Sequence, residues 1–429
     1  MLGLREAVAA SLLAFLALSL VLRSRRPKVP IWALMALASS FSVAFGLIGL
    51  DELGQAVNIE VVLFLVGMFS IVALAESSGL LEAASLWFVS RFRSRKAAVV
   101  SSAYLFGLMA ALAVNDTVAL IGPPIAVLVA RALGVDYRMV FLLLAYSLTI
   151  GSVMTPIGNP QNMLIAVESG IRAPFVEFLK WLAIPTLINI YLTAAYLLRV
   201  FRVEDRPVSL LALPQEKITN RRDAYLGGFG LAAVVAALLV NDLLQLAGLP
   251  HVKSIGFIPF VVAATLYVAS SDPRRIIGGV DWGTVVFFIS MFITMEAVWR
   301  AGVLQRAIGA LILNPLAHTW VNVLLITLAS LALSQLLSNV PFTKFFIDYM
   351  KALGFGPGNT AEWVALAMAA TIAGNLTILG AASNVIVIET LETRYQQTIS
   401  FTEFLKHGAV VTAINTAVYL AYFYLLLHL

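Results

Sequence analysis

Apolar runs close to the roughly 20 residues that a helix needs to cross a bilayer recur from one end of this chain to the other. They lie near residues 7–22, 30–49, 59–78, 139–167 and 181–199, and again near 223–244, 254–270, 284–300, 361–388 and 408–428. Two further apolar stretches, 97–131 and 318–354, carry polar residues at mid-length: Asn115-Asp116-Thr117 in the first and Ser338-Asn339-Val340-Pro341 in the second. A polar tip between two apolar arms reads as a hairpin that enters the membrane and returns. The run at 7–22 reads as a span rather than a cleaved signal, because its positive cluster (Arg23, Arg25, Arg26, Lys28) follows the apolar residues and no small-residue cleavage pattern appears.

Two of the runs are interrupted in the same way. Thr155-Pro156-Ile157-Gly158-Asn159-Pro160-Gln161-Asn162-Met163-Leu164 is echoed by Thr377-Ile378-Leu379-Gly380-Ala381-Ala382-Ser383-Asn384-Val385-Ile386, each position 222 residues further on. Gly, Pro and Asn end helices and leave backbone groups unpaired, which hydrocarbon tolerates only where the broken segment lines a cavity inside the protein. The echo extends further. Phe175-Val176-Glu177-Phe178-Leu179-Lys180 returns as Phe401-Thr402-Glu403-Phe404-Leu405-Lys406, each reading as an interfacial amphipathic helix, and Met68-Phe69 with Gly79 returns as Met291-Phe292 with Gly302. The pattern predicts an all-α polytopic membrane protein of two repeats, residues 1–200 and 223–429, joined by a cytoplasmic linker at 201–222 that holds Pro207 and Pro214. Each repeat has about five crossings, a hairpin (97–131, 318–354) and a broken helix (139–167, 361–388). An odd number of crossings inverts the second copy, so the two tips and two breaks converge near the midplane.

Composition secures the membrane premise: 61% of residues are hydrophobic and 12% charged, with a mean hydropathy of +0.94, against about 25% charged in soluble domains. The absence of cysteine excludes disulfides, thiolate metal sites and thiol nucleophiles. A net charge of +5 points to membrane orientation rather than nucleic acid once its distribution is counted. If the loop at Arg23–Lys28 is cytoplasmic, 20 of the 28 basic residues fall on its side, which predicts a multi-pass cell-membrane protein with both termini extracytoplasmic. No intramembrane His/Glu metal motif or Ser/His pair suggests an enzyme, and His251, His318, His407 and His428 lack ligand spacing. There is no phosphate-binding loop either, so ATP drive would require a separate subunit, which nothing implies.

The half-helix that follows each break offers unpaired N–H groups and a positive dipole end, suited to an anion. Side-chain oxygens of Asn115, Asp116, Thr117, Asn159, Asn339, Asn375 and Ser383 are equally suited to Na⁺, and spacing does not choose between the two. Asp116, the one acid in the first hairpin's apolar stretch, is either a coupling-ion residue or a hairpin cap. Lys344 is either a fixed cation at the site or a snorkelling side chain with Asp348 one turn on. Asn159, Asn162, Asn375 and Asn384 either bind ligand or satisfy the broken backbone. Glu76 and Glu296 read as interfacial.

At these residues the chain resembles the ion transporter superfamily. It is most similar to the branch of arsenite-efflux permeases and the melanosomal P protein, with dicarboxylate/sodium symporters and some sodium/proton antiporters further away. The resemblance rests on Asn115-Asp116-Thr117 with Pro123-Pro124, on Asn339-Val340-Pro341, on Gly158 to Asn162 and on Gly374 to Asn384. It implies a secondary carrier of a small anion or oxyanion, arsenite-like or carboxylate, coupled to H⁺ or Na⁺, with a sodium/proton antiporter as the alternative. It also implies a lipid-embedded homodimer whose hairpins and broken helices slide as an elevator, with no cofactor beyond the coupling ion. Carried onto this chain, the binding set is Asn115, Asp116, Thr117, Thr155, Gly158, Asn159, Asn162, Ser338, Asn339, Thr343, Lys344, Gly374, Asn375, Thr377, Ser383 and Asn384, with Na⁺ near Asn115, Asp116, Asn159, Asn339 and Asn375. The tips depart from the Ser-Asn-Thr of the dicarboxylate symporters, which weighs against a di- or tricarboxylate.

Overall fold

The computed structural model describes residues 3–23, 29–89, 91–207, 218–303, 305, 313–316 and 319–429. Arg25, Arg26, Lys28, His318 and linker residues 208–217, Pro214 among them, lie outside the described residues. Among those described, all regular structure is helical, and eight helices are long and apolar enough to cross a membrane. Ile31–Ala44, Tyr137–Ser152 and Phe257–Ala269 are shorter apolar helices. This is a multi-span membrane protein.

Each tip-bearing stretch is two helices joined through a single residue. Arg95–Ala113 and Asn115–Leu133 meet at Val114, and Thr319–Leu337 and Asn339–Ala352 meet at Ser338. The joints take φ of 64° and 67°, a left-handed conformation that is unusual outside glycine and strained for a β-branched valine. A 19-residue arm is about 28 Å long, so length alone does not separate a hairpin from two spans. The two arms of each stretch lie against one another, as the arms of a hairpin or two antiparallel spans both would. The start of the first arm is pinned outside the apolar zone. Ser94 Oγ and the Lys96 N–H donate to Asp205 at 2.7 and 3.1 Å, which holds that carboxyl below its usual range.

The echoed segments are breaks. Tyr137–Ser152 stops, and Pro160–Glu168 resumes under an Asn159 cap. Thr360–Ile372 gives way to two short turns, Ala373–Asn375 and Ile378–Gly380, before Ala382–Tyr395. The Phe-x-Glu-Phe-Leu-Lys runs differ from expectation. They are the opening turns of the last helices, Pro174–Val200 and Phe401–His428, rather than separate interfacial helices. Neither Pro185 after Lys180 nor Gly408 after Lys406 ends the helix, and the backbone continues through a π-turn at Leu179–Ala183 in the first.

Packing exchanges partners between the halves. Ile31–Ala44 lies on Trp282–Arg300, while Phe257–Ala269 lies on Ile59–Ser77. Asn115–Leu133 packs against Ala382–Tyr395, and Asn339–Ala352 against Pro160–Glu168. The last helices, Ile184–Val200 and Phe401–His428, pack against each other. Without a hydrophobic driving force in lipid, close backbone approach supplies much of the cohesion. At the tightest crossing, a Cβ on Gly151 would sit 2.1 Å from the Gly107 carbonyl oxygen, so Tyr137–Ser152 and the first hairpin arm touch backbone to backbone.

Gly151→Ala is therefore expected to lower the stability of the detergent-solubilised protein by about 1–3 kcal/mol, the cost of overpacking that cannot relax. Gly278→Ala, where the added carbon meets nothing within 4 Å, is the control and leaves the melting temperature unchanged.

Candidate functional site

The tips are tied to the breaks by hydrogen bonds. The Asn115 N–H donates to the Gly158 carbonyl at 2.9 Å, and Thr155 Oγ1 donates to the Ala111 carbonyl at 2.6 Å. In the second half, Gln335 Nε2 donates to the Ala373 carbonyl at 2.8 Å and Thr377 Oγ1 to Gln335 Oε1 at 2.9 Å. Thr343 Oγ1 donates to the Asn339 carbonyl, and Asn339 Oδ1 accepts from Ser334 Oγ. Thr371 joins the two breaks, accepting from Asn159 Nδ2 and donating to Asn162 Oδ1, both at 3.3 Å.

The two breaks use their amides differently. Asn162 Nδ2 donates to the carbonyls of Ser152, Val153 and Thr155 at 3.0, 3.1 and 3.0 Å, and Asn159 Nδ2 to the Ser152 carbonyl and hydroxyl. They supply the donors that the interrupted helix lacks. Gly158 permits the turn, since a Cβ there would lie 2.3 Å from the Ser152 carbonyl oxygen. In the second break, Asn384 Nδ2 serves the Gly374 and Thr377 carbonyls. Asn384 Oδ1, Ser383 Oγ and both polar side-chain atoms of Asn375 are buried without a partner among the described residues, as is Asn115 Oδ1 at the first tip.

Between the tips lies a cavity of about 170 Å³. Asn115 and Asp116 of one tip, Ser338, Asn339 and Val340 of the other, and Gln161, Ala381 and Ala382 of the breaks line it. Its remaining wall includes Trp32, Asp281, Gly283, Thr284, Phe287 and Phe288. Of the predicted set, Asn115, Asp116, Ser338 and Asn339 line this cavity. Thr117, Thr155, Gly158, Asn159, Asn162, Thr343, Gly374, Asn375, Thr377, Ser383 and Asn384 do not. Asp116 is half-buried and its carboxylate has no hydrogen-bond partner among the described residues. The lining contains two acids and no Lys or Arg. A larger cleft of about 1050 Å³, lined by Phe88, Tyr104, Tyr191 and Arg199, is open and away from the tips.

Lys344 neither reaches the cavity nor snorkels. It is buried, with Nζ 3.0 Å from Glu168 Oε2 and 2.8 Å from Asp348 Oδ1, while Lys351 Nζ meets the same Glu168 oxygen at 2.9 Å. Asn58 Nδ2 approaches Glu168 Oε1 at 3.4 Å. Glu168 and Asp281 were not legible as site candidates. Asp281 carries only the Asp-Trp-Gly-Thr signature of a helix cap, and its oxygens do accept from Thr284 N and Oγ1. Among the described residues, no group of three or more His, Asp or Glu side chains is placed to hold a metal ion.

Known proteins share this plan. An uncharacterized transporter of Mycobacterium tuberculosis is 29% identical over 85% of this chain and 86% of its own length. A Dictyostelium discoideum transporter named arsB is 22% identical, covering 88% and 84%, and the Escherichia coli inner membrane protein YbiR is 24% identical, covering 73% and 81%. The fold is that of the Alcanivorax borkumensis YdaH transporter, with a TM-score of 0.54 at 14% identity over 95% of this chain and 97% of that one. Neisseria gonorrhoeae MtrF follows, with a TM-score of 0.51 at 15% identity over 91% and 92%. Residues 13–371 match the family described as citrate transporter, CitMHS. With that much of its length matched and its tips and breaks meeting at one cavity, the chain is a membrane transporter of the CitMHS citrate-transporter family.

Proposed function

We propose that this protein is a secondary active transporter for a small carboxylate anion, coupled to H⁺ or Na⁺, working by elevator-type alternating access. The observation that carries the reading is the single cavity lined by residues from both tips and both breaks. The family's description favours citrate-like cargo over arsenite, against the weight of the tip sequences. The anion would meet the N-terminal ends of Pro160–Glu168 and Ala382–Tyr395, where N–H groups and the helix dipole supply positive potential without a basic side chain. The buried Asn115 Oδ1 on the cavity wall, which has no partner among the described residues, supports a ligand role, because such a group is costly to leave unmet.

The exchange of packing partners between halves supports an inverted repeat, with boundaries at 1–200 and 223–429. Ile31–Ala44, Ile59–Ser77, Phe257–Ala269 and Trp282–Arg300 form the fixed scaffold in this reading, and the hairpins and broken helices form the moving part. Under the positive-inside orientation, Asp281 lies near the cytoplasmic Arg274 and Arg275, so the cavity opens inward. The Glu168–Lys344–Asp348–Lys351 cluster then closes the outer side, with Asn58 as the scaffold's contact. Exposed apolar residues such as Tyr225, Phe229 and Leu243 on Arg221–Leu246 face lipid or a second copy in a dimer. A sodium/proton antiporter is the second reading, favoured by the two acids and the missing base in the cavity.

In proteoliposomes with an imposed H⁺ or Na⁺ gradient, labelled citrate is expected to accumulate, and Asp116→Asn to abolish gradient-driven accumulation. Na⁺ that collapses a pH gradient with no anion present, together with no citrate uptake, would establish the antiporter instead. For the ion cluster, Lys344→Met strands the buried Asp348 carboxylate and is expected to cost about 3 kcal/mol of stability. Lys344→Met with Asp348→Leu removes both charges and recovers most of the loss, as read by thermal unfolding in detergent.

A further inference from the structure

Asp281 sits at the start of helix Trp282–Arg300, and its counterpart in the other half, 223 residues earlier as Met68 is to Met291, is Asn58. Asn58 caps Ile59–Ser77 by accepting from the Val61 N–H at 3.3 Å, so a neutral amide does the capping job at that place in the fold. Asp281 caps its own helix through the Thr284 N–H and hydroxyl at 3.1 and 2.6 Å. Capping therefore accounts for an oxygen acceptor at position 281 and leaves the negative charge unexplained.

That charge faces the cavity. Asp281 and Asp116 line the same space of about 170 Å³ and are its only titratable lining groups among the described residues. Beside them is Asn115, 4% exposed, whose Oδ1 has no partner. Two carboxylates and an amide oxygen in a partly enclosed space repel an anion and attract a cation.

We propose that Asp116, Asp281 and Asn115 Oδ1 form a cation site divided between the hairpin tip and the scaffold, filled by a monovalent cation, Na⁺ or H⁺. The proposal rests on the transporter reading for its purpose but not for its test. Because one carboxylate belongs to the tip and the other to a helix outside the hairpins, the site is whole only while the tip stands at this level. A cation held there cancels the charge that bars a carboxylate from the cavity. Moving the tip away from Asp281 takes one ligand off the cation, so its affinity differs between the two faces of the membrane.

Binding is read on the purified full-length chain in detergent, by intrinsic fluorescence and by thermal shift, with Trp32 in the cavity wall as the local reporter. One arm titrates NaCl against choline chloride at pH 8.5, and the other titrates pH in choline chloride alone. A saturable wild-type response in the first arm identifies Na⁺; a response in the second arm only identifies H⁺. Asp281→Asn, which reproduces the Asn58 cap, is expected to keep the cation-free melting temperature and to weaken the cation response about tenfold, the effect of removing one unit charge from a shielded site. Asp281→Glu is expected to restore the response. A wild-type protein that responds to neither cation overturns the proposal, and so does an Asp281→Asn protein that responds as wild type does. A response lost in Asp116→Asn but intact in Asp281→Asn would assign the cation to the tip alone. None of these readouts needs transport, so a failure of citrate uptake leaves them interpretable.

Discussion

Everything at the centre of this protein follows from one constraint: backbone N–H and C=O groups released by a broken helix cannot be left unpaired in a low-dielectric interior. The chain meets it with amide side chains a fixed distance beyond each break. Asn162 reaches back to three carbonyls of the first break, and Asn384 to two of the second, from positions 222 residues apart. The rigid frame thus created fixes where the tips dock, since the Asn115 N–H takes the Gly158 carbonyl, which only a glycine at that turn leaves clear of Ser152. The strained joints at Val114 and Ser338 persist because that frame over-determines them.

Sameness of backbone makes the differences in side chains informative. Glu168 in one half corresponds to Thr390 in the other, and Lys344 to the exposed Leu120. Where Glu168 of one half meets Lys344, Asp348 and the exposed Lys351 of the other, with Asn58 against Glu168, the equivalent place across the repeat is a cavity with Asp281 on its wall. Buried ion pairs contribute little net stability over apolar packing, so the cluster is better understood as fixing which surfaces meet than as holding the fold together.

The fold was legible because hydrocarbon permits so few solutions. Run lengths located the spans, and Gly-Asn-Pro at 158–160 located a break to within a residue or two. The tips were legible as polar residues in apolar stretches, and five of the residues named there, Asn115, Asp116, Ser338, Asn339 and Val340, line the cavity. What sequence did not separate is amides that hold the backbone from amides that face the cavity: Asn159 and Asn162 look the same as Asn115 in a motif, yet only the last lines it. Asp281 and Glu168 stayed hidden for another reason. Each sits at a helix end, where an acid is ordinarily a cap or a solvated residue, and their importance depends on contacts more than 100 residues away in the chain.

The charge balance of the cavity bears on how one scaffold can serve both anion carriers and cation exchangers. Helix N-termini attract an anion with roughly half a unit of positive charge each, and that field is the same whatever side chains stand nearby. Asp116 and Asp281 oppose it with up to two negative charges. The sum is close to neutral only when a cation is present, so in the proposed reading the acids set the need for a cation and the breaks the preference for an anion. A sequence that kept the acids while filling the breaks would exchange cations, and one that lost the acids would admit the anion without a coupling ion. If both ligands bind there as proposed, thermodynamic linkage makes whatever factor one applies to the affinity of the other equal in both directions.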